Sequence, residues 1–215
     1  MKPRVLLLYY SFTNQTRRVS EAMAEVFREE GWEAHVCEIE FIDPKHRIEF
    51  PFRPFWPRLM RWLIPQFLGR TGEIHVDERV IEQDYDLVCL GSPTWWLHPA
   101  MPIVSFLKSR SAHQLLNGRR FVVFAVCRAI WWNNVRVVKK SAKRAGGCFV
   151  KAAAFCFRGN QVQTALTFLN YMQTEQNRDR YLGVRIYEFG IPDEGIEKAR
   201  SLARDLARSQ KSEAS

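Results

Sequence analysis

The stretch RVLLLYYSFTNQT, Arg4 to Thr16, joins two different kinds of residue pattern. Its first half contains the unbroken apolar run VLLLYY, which predicts a β-strand buried on both faces. Its second half packs three hydroxyls and two amides into six residues: Ser11, Phe12, Thr13, Asn14, Gln15 and Thr16. A helix is predicted next, because Val19, Ala22, Met23, Val26 and Phe27 recur in steps of three and four and Gly31 can end it. A polar turn entering a helix offers unpaired N–H groups and the positive end of the helix dipole, which suits a phosphate. Arg17 and Arg18 place more positive charge beside it. Helix capping by Ser or Thr accounts for the same residues equally well. The chain has neither GxGxxG nor GxxxxGK[ST], so the dinucleotide and P-loop fingerprints are both missing.

Working outward, strand and helix periods alternate. Trp32 to Phe41 predicts a second strand and Leu87 to Leu90 a third, which ends at the loop signal Gly91-Ser92-Pro93. Pro102, Ile103, Phe106 and Leu107 predict the next helix. FVVFAVC (Phe121 to Cys127) is the clearest strand in the chain. Val135, Val138, Ala142 and Ala145 form the inner stripe of the helix after it, and Phe149 to Phe157 a fifth strand. Ile196, Ala199, Leu202, Ala203 and Leu206 mark a final helix, with a frayed tail expected over 209–215. Such alternation predicts an α/β fold, a parallel sheet covered on both faces, in which ligands bind at the carboxyl ends of the strands.

Two more loops at that edge carry aromatic pairs. The third strand leads into Pro93, Thr94, Trp95, Trp96 and Leu97, and the fourth into Cys127, Arg128, Ala129, Ile130, Trp131 and Trp132. An indole presents a large rigid face on which a planar ligand can stack, although the same residues can cover a sheet edge or meet another protein. Three loops converging on one edge, one suited to phosphate and two to a flat ring, make the stronger case.

This combination resembles the flavodoxin-like superfamily, whose FMN phosphate loop has the form Ser/Thr-x-Thr-Gly-x-Thr. SFTNQT matches that loop with Asn14 in the glycine position, and Asn is the best non-glycine residue at positive φ. DLVCLGSPTWWLHPAMPIVSFL, Asp86 to Leu107, is similar to the family's third strand, flavin loop and following helix. The resemblance implies a three-layer sandwich around a five-stranded parallel sheet, with FMN as cofactor. It implies phosphate contacts from residues 11–16, ring contacts from Pro93 to Leu97 with Trp95 or Trp96 stacking, and Cys127, Arg128 and Trp131 on the other side of the ring. FPFRPFW (Phe50 to Trp56), WWLHPAMPIVSFLKS and CRAIWW further resemble a branch named dialkylresorcinol condensing enzymes. That branch implies an oxidoreductase acting on an apolar quinone-like or cyclic dione substrate, with NAD(P)H as electron donor. The alternative is a non-enzymatic electron carrier, sensor or partner-binding module. Flavodoxin-like quinone reductases are often oligomers, so a homo-oligomer is also implied.

Charge departs from that of flavodoxin electron carriers, which are acidic. The 215 residues carry 32 Lys and Arg against 23 Asp and Glu, a net +9, which favours an anionic partner. Arg136, Lys139, Lys140, Lys143 and Arg144 form one basic helical stripe, read first as a solvated face and second as an attractor of NAD(P)H, an acyl-carrier partner or anionic lipid. No nucleic-acid motif is present, and nucleic acid is not expected as a partner. One domain over 1–208 is expected, with an insertion at about 43–76. There Trp56, Leu59, Met60, Leu63, Ile64, Phe67 and Leu68 predict an amphipathic helix. Core packing is its first reading, a lid over an apolar substrate the second, and peripheral membrane contact through 50–68 the third.

The five cysteines contain no CxxC pair and lie mostly in apolar runs, which predicts buried thiols in a reducing compartment. With no signal-peptide pattern, the expected location is cytoplasmic. The five histidines lack metal-binding spacing, and no metal is expected; His98, just past the flavin loop, is the one placed to relay a proton. Cys127 is assigned no nucleophilic role.

Overall fold

The computed structural model describes residues 2–46 and 51–213. Phe50, the first residue of FPFRPFW, and 214–215 of the tail lie outside them. Five strands run parallel: β1 (Arg4–Tyr9), β2 (Glu33–Glu38), β3 (Leu87–Trp95), β4 (Arg120–Cys127) and β5 (Cys148–Cys156). Their order in the sheet is β2-β1-β3-β4-β5. The chain therefore starts in the interior, moves to one edge, and crosses back over β1, which creates a crevice at the β1/β3 boundary.

Alternate side chains along each strand face opposite layers. Val5, Leu7, Leu87, Cys89, Val122 and Phe124 pack beneath α1 (Gln15–Glu29) and the long terminal helix. Leu6, Leu8, Val88, Leu90, Val123 and Ala125 face the other layer. That layer holds α2 (Phe55–Phe67), α3 (Met101–Lys108), α4 (Arg110–Leu116) and α5 (Trp132–Arg144). The three-layer sandwich is thus in place, and the predicted inner stripes of α1 and α5 are buried.

Two element ends differ from the sequence expectation. β3 does not stop at Leu90 but runs to Trp95, where it doubles back as a short antiparallel strand, His98–Pro99. Pairing with β1 ends at Gly91, so Pro93, lacking an N–H, occupies a strand with only β4 left beside it. Gly91 itself is required by crowding: a Cβ there would lie 2.5 Å from the Phe124 ring and 2.7 Å from the Tyr9 Cβ. At the other terminus, the last helix continues to Glu213, through most of the stretch expected to fray.

The open segment after β5 is ordered into α6 (Gln161–Thr174), with a reciprocal capping box between Asn160 and Gln163. A short hairpin, Arg180–Tyr181 with Val184–Arg185, follows, and then α7 (Asp193–Glu213). The insertion is closed at its neck by antiparallel pairing of Glu40–Phe41 with Ile74–His75. Asp43 clamps this neck by accepting hydrogen bonds from the amides of Lys45 (2.8 Å), His46 (3.3 Å) and Glu73 (3.3 Å).

Candidate functional site

A cavity of about 430 Å³ opens at the carboxyl ends of β1, β3 and β4, at the crevice the strand order creates. All three loops singled out from sequence contribute to it. Phe12, Thr13, Gln15 and Thr16 come from the first, Pro93 to Leu97 from the second, and Cys127 and Arg128 from the third. Ser11, Asn14 and Trp131 stand outside its wall, and each has a structural position instead. Ser11 Oγ accepts from the Arg17 amide at 3.3 Å. Asn14 adopts the left-handed conformation, φ 59°, expected of a residue in the glycine position. Trp131 is the residue before α5, and it and Trp132 stand half-exposed, so Ala129 and Ile130 line the cavity in their place.

The α1 end of the cavity is built to meet an anion. Asn14 makes no side-chain cap, and the amides of Thr13 to Thr16 have no acceptor among the described residues. The two arginines nearby do not complete it. Arg17 is drawn to Glu38, which raises its pKa, and Arg18 reaches Gln15 Oε1 and the Ile191 carbonyl. Arg128 is the cation on the wall. Its Nη1 donates to the Gln161 carbonyl at 2.8 Å and Thr164 Oγ1 at 3.1 Å, fixing it against the start of α6, and burial lowers its pKa.

The opposite end is aromatic. Trp95 is buried, edge-to-face with Tyr10 (5.6 Å), Phe12 (6.1 Å) and Trp62 (5.0 Å), whereas Trp96, at φ 51°, is half-exposed at the hairpin tip. The sequence left open which tryptophan turns inward; packing against Tyr10, Phe12 and Trp62 selects Trp95. Trp62 in turn stacks on Phe168 of α6 at 6.3 Å. Its Nε1–H is buried and has no acceptor among the described residues.

Sequence reasoning missed the far wall. Ala165, Phe168, Leu169 and Met172 of α6 line it, although their steps of three and four were a legible helical stripe. α2 closes another side. Its predicted stripe divides: Leu59 and Leu63 are buried, joined by Trp62, which the stripe did not include; Trp56 (66% exposed) and Met60 are exposed yet also line the cavity; Ile64 and Leu68 are exposed and lie outside it. His98 does not reach the cavity. It lines a separate one of about 230 Å³, and Asn133 Nδ2 lies between its Nδ1 (3.4 Å) and the Leu97 carbonyl (2.9 Å).

The cysteines are more varied than expected. Cys37, Cys89 and Cys127 are buried, but Cys156 is half-buried and Cys148 exposed, because β5 is an edge strand. On the basic helix, Lys139 lies over the Phe149 ring at 3.9 Å while Arg136, Lys140, Lys143 and Arg144 are exposed. Among the described residues no cluster of His, Cys, Asp and Glu could hold a metal ion, and no helix is long and apolar enough to cross a membrane.

No protein-family model and no curated protein matches the sequence. Solved structures do match in shape. A flavodoxin from the domain Archaea superposes with a TM-score of 0.55 at 10% identity, covering 97% of this chain and 99% of that one. A flavodoxin, WrbA-like protein from Agrobacterium tumefaciens gives 0.55 at 15% identity, covering 98% and 99%. A putative flavoprotein from Bacteroides eggerthii gives 0.55 at 19% identity, covering 79% and 97%. At these identities the likeness establishes the fold.

Proposed function

We propose that this flavodoxin-fold chain binds FMN in the 430 Å³ cavity and acts as an oxidoreductase on an apolar, quinone-like or cyclic dione substrate, with NAD(P)H as electron donor. One observation carries the reading: a single cavity joins the unpartnered amino terminus of α1 to an aromatic slot. A flavin monophosphate needs both ends. The amides of residues 13–16 with the Thr13 and Thr16 hydroxyls would hold the phosphate. Pro93 to Leu97 and Ala129 to Ile130 would flank the ring. Arg128, immobilised by α6, would place positive charge beside it.

A bound flavin would supply hydride exchange, the step that side chains alone do not provide. The protein's part is orientation and exclusion of water. α2 and α6 serve that part by walling the slot with Leu59, Leu63, Phe168 and Met172. This arrangement combines the core and lid readings of the insertion. The exposed apolar residues Trp56, Met60, Ile64 and Leu68, the first two of which also line the cavity, support the membrane reading as well: an apolar substrate would enter from a lipid surface.

The test is titration of the purified protein with FMN, followed by flavin emission. Saturable quenching at micromolar FMN or below, weakened about tenfold or more by Thr13→Ala, is expected; such a loss corresponds to about 1.4 kcal/mol. Absence of saturable binding would overturn the reading. Tight FMN binding without NAD(P)H oxidation in the presence of quinones or cyclic diones would leave the electron-carrier or partner-binding alternative.

A further inference from the structure

Cys127 and Cys156 end two neighbouring parallel strands, β4 and β5, at paired positions in the register. Their sulfurs are 3.2 Å apart. Neighbouring strands run about 4.8 Å apart, inside the Cα separation of about 4.4–6.8 Å that a disulfide spans. Bond formation at about 2.05 Å needs the sulfurs to close by only about 1 Å. The strand that must move, β5, has no neighbouring strand on its outer side among the described residues.

The two thiols differ in access and in protonation. Cys127 is 3% exposed and lines the 430 Å³ cavity, whereas Cys156 is half-buried. The hydrogen bond between them favours the Cys156 thiolate and holds Cys127 protonated. Lys198 further lowers the Cys156 pKa, and burial further raises that of Cys127. Cys156 is thus the attacking sulfur and Cys127 the resolving one.

We propose that Cys127, in the cavity wall, and Cys156 beside it are an oxidisable dithiol, which hydrogen peroxide converts to an intrachain disulfide. The Cys156 thiolate attacks one peroxide oxygen and the O–O bond breaks. Cys156 sulfenic acid forms, and the departing hydroxide takes a proton to become water. Cys127 then loses its proton and attacks the Cys156 sulfur. The S–O bond breaks and a second water leaves. Two thiols and one peroxide give one disulfide and two waters, the two electrons passing from sulfur to oxygen. A dithiol reductant reverses the bond by exchange. The disulfide ties the end of the edge strand to the cavity wall beside Arg128, so oxidant tone is written into the shape of the site. This inference is independent of whether FMN binds.

The experiment uses the full chain in a Cys148→Ser background, which leaves four of the five cysteines and removes the exposed thiol. After treatment with stoichiometric peroxide, free thiols are alkylated under denaturing conditions and the protein is analysed by mass spectrometry. The expected result is loss of two labels, a cross-linked peptide pair containing Cys127 and Cys156, and recovery of both labels after dithiothreitol. Adding Cys127→Ser should leave Cys156 trapped as a sulfenic acid that dimedone labels. Four labels retained after peroxide, or a cross-link joining any other pair, would overturn the proposal. So would dimedone labelling of Cys156 that is the same with and without Cys127.

Discussion

Trp62 and Trp95 meet edge-to-face with ring centroids 5.0 Å apart at 74°, joining the inserted helix α2 to the hairpin at the end of β3. The contact makes the insertion part of the hydrophobic core, and both residues line the cavity. Truncating a buried tryptophan removes both transfer energy and packing. Trp62→Ala should therefore cost about 3–5 kcal/mol in denaturant unfolding, and Trp62→Phe distinctly less. A loss below about 1 kcal/mol for the alanine variant would show that α2 is an appendage and not part of the core.

Gly91 of β3 sits between its register partners, Tyr9 of β1 and Phe124 of β4. Gly91→Ala should destabilise by about 1–3 kcal/mol, because neither the Phe124 ring nor the Tyr9 Cβ can withdraw from a packed interior. Pairing with Phe124→Leu should recover part of the loss if the ring is the obstacle. Strict additivity of the two changes would refute that cause.

Asp43 gives the insertion neck a pH dependence. Burial opposes ionisation, but hydrogen bonds from His46 and from the Lys45 and Glu73 amides outweigh it and hold the carboxyl below the usual range. A group whose folded pKa is depressed contributes fully above its unfolded pKa, about 3.9, and loses that contribution as pH falls through the lower folded value. Denaturant midpoints measured between pH 7 and pH 3 should fall more steeply for the wild type than for Asp43→Asn. Parallel curves would remove Asp43 from the pH response.

The outward stripe of α2 carries the lipid-surface part of the proposed function. Ile64→Glu with Leu68→Glu should abolish flotation with vesicles containing anionic lipid, while changing unfolding stability by no more than about 0.5 kcal/mol per site. Flotation that persists in the double variant, or that the wild type lacks, would remove membrane contact from the reading.

Arg128 joins the cavity to α6. Arg128→Met forfeits its two hydrogen bonds to Gln161 and Thr164, and should cost about 1–3 kcal/mol. It should also weaken FMN. A variant that loses stability but keeps full FMN affinity would assign Arg128 to the scaffold alone.

Much of this arrangement was legible in the chain itself. Runs such as VLLLYY and FVVFAVC specify strands buried on both faces, and the stripes of α1 and α5 specify their inner sides, because apolar periodicity is a local property that burial follows directly. The same patterns predicted the parallel sheet and placed three of its loops at one edge. Other features depended on which segments meet across the sheet. Nothing local distinguishes Trp95 from Trp96; only contact with Tyr10, Phe12 and Trp62 turns one inward. Arg17 reads as a phosphate ligand until Glu38, 21 residues away, takes it. α2 reads as one stripe until the core covers half of it. Cys127 and Cys156, 29 residues apart, are neighbours only because a helical crossover returns the chain beside β4 in that register. Local periodicity determines which residues are buried; long-range pairing, which carries no local signal, determined what they are buried against.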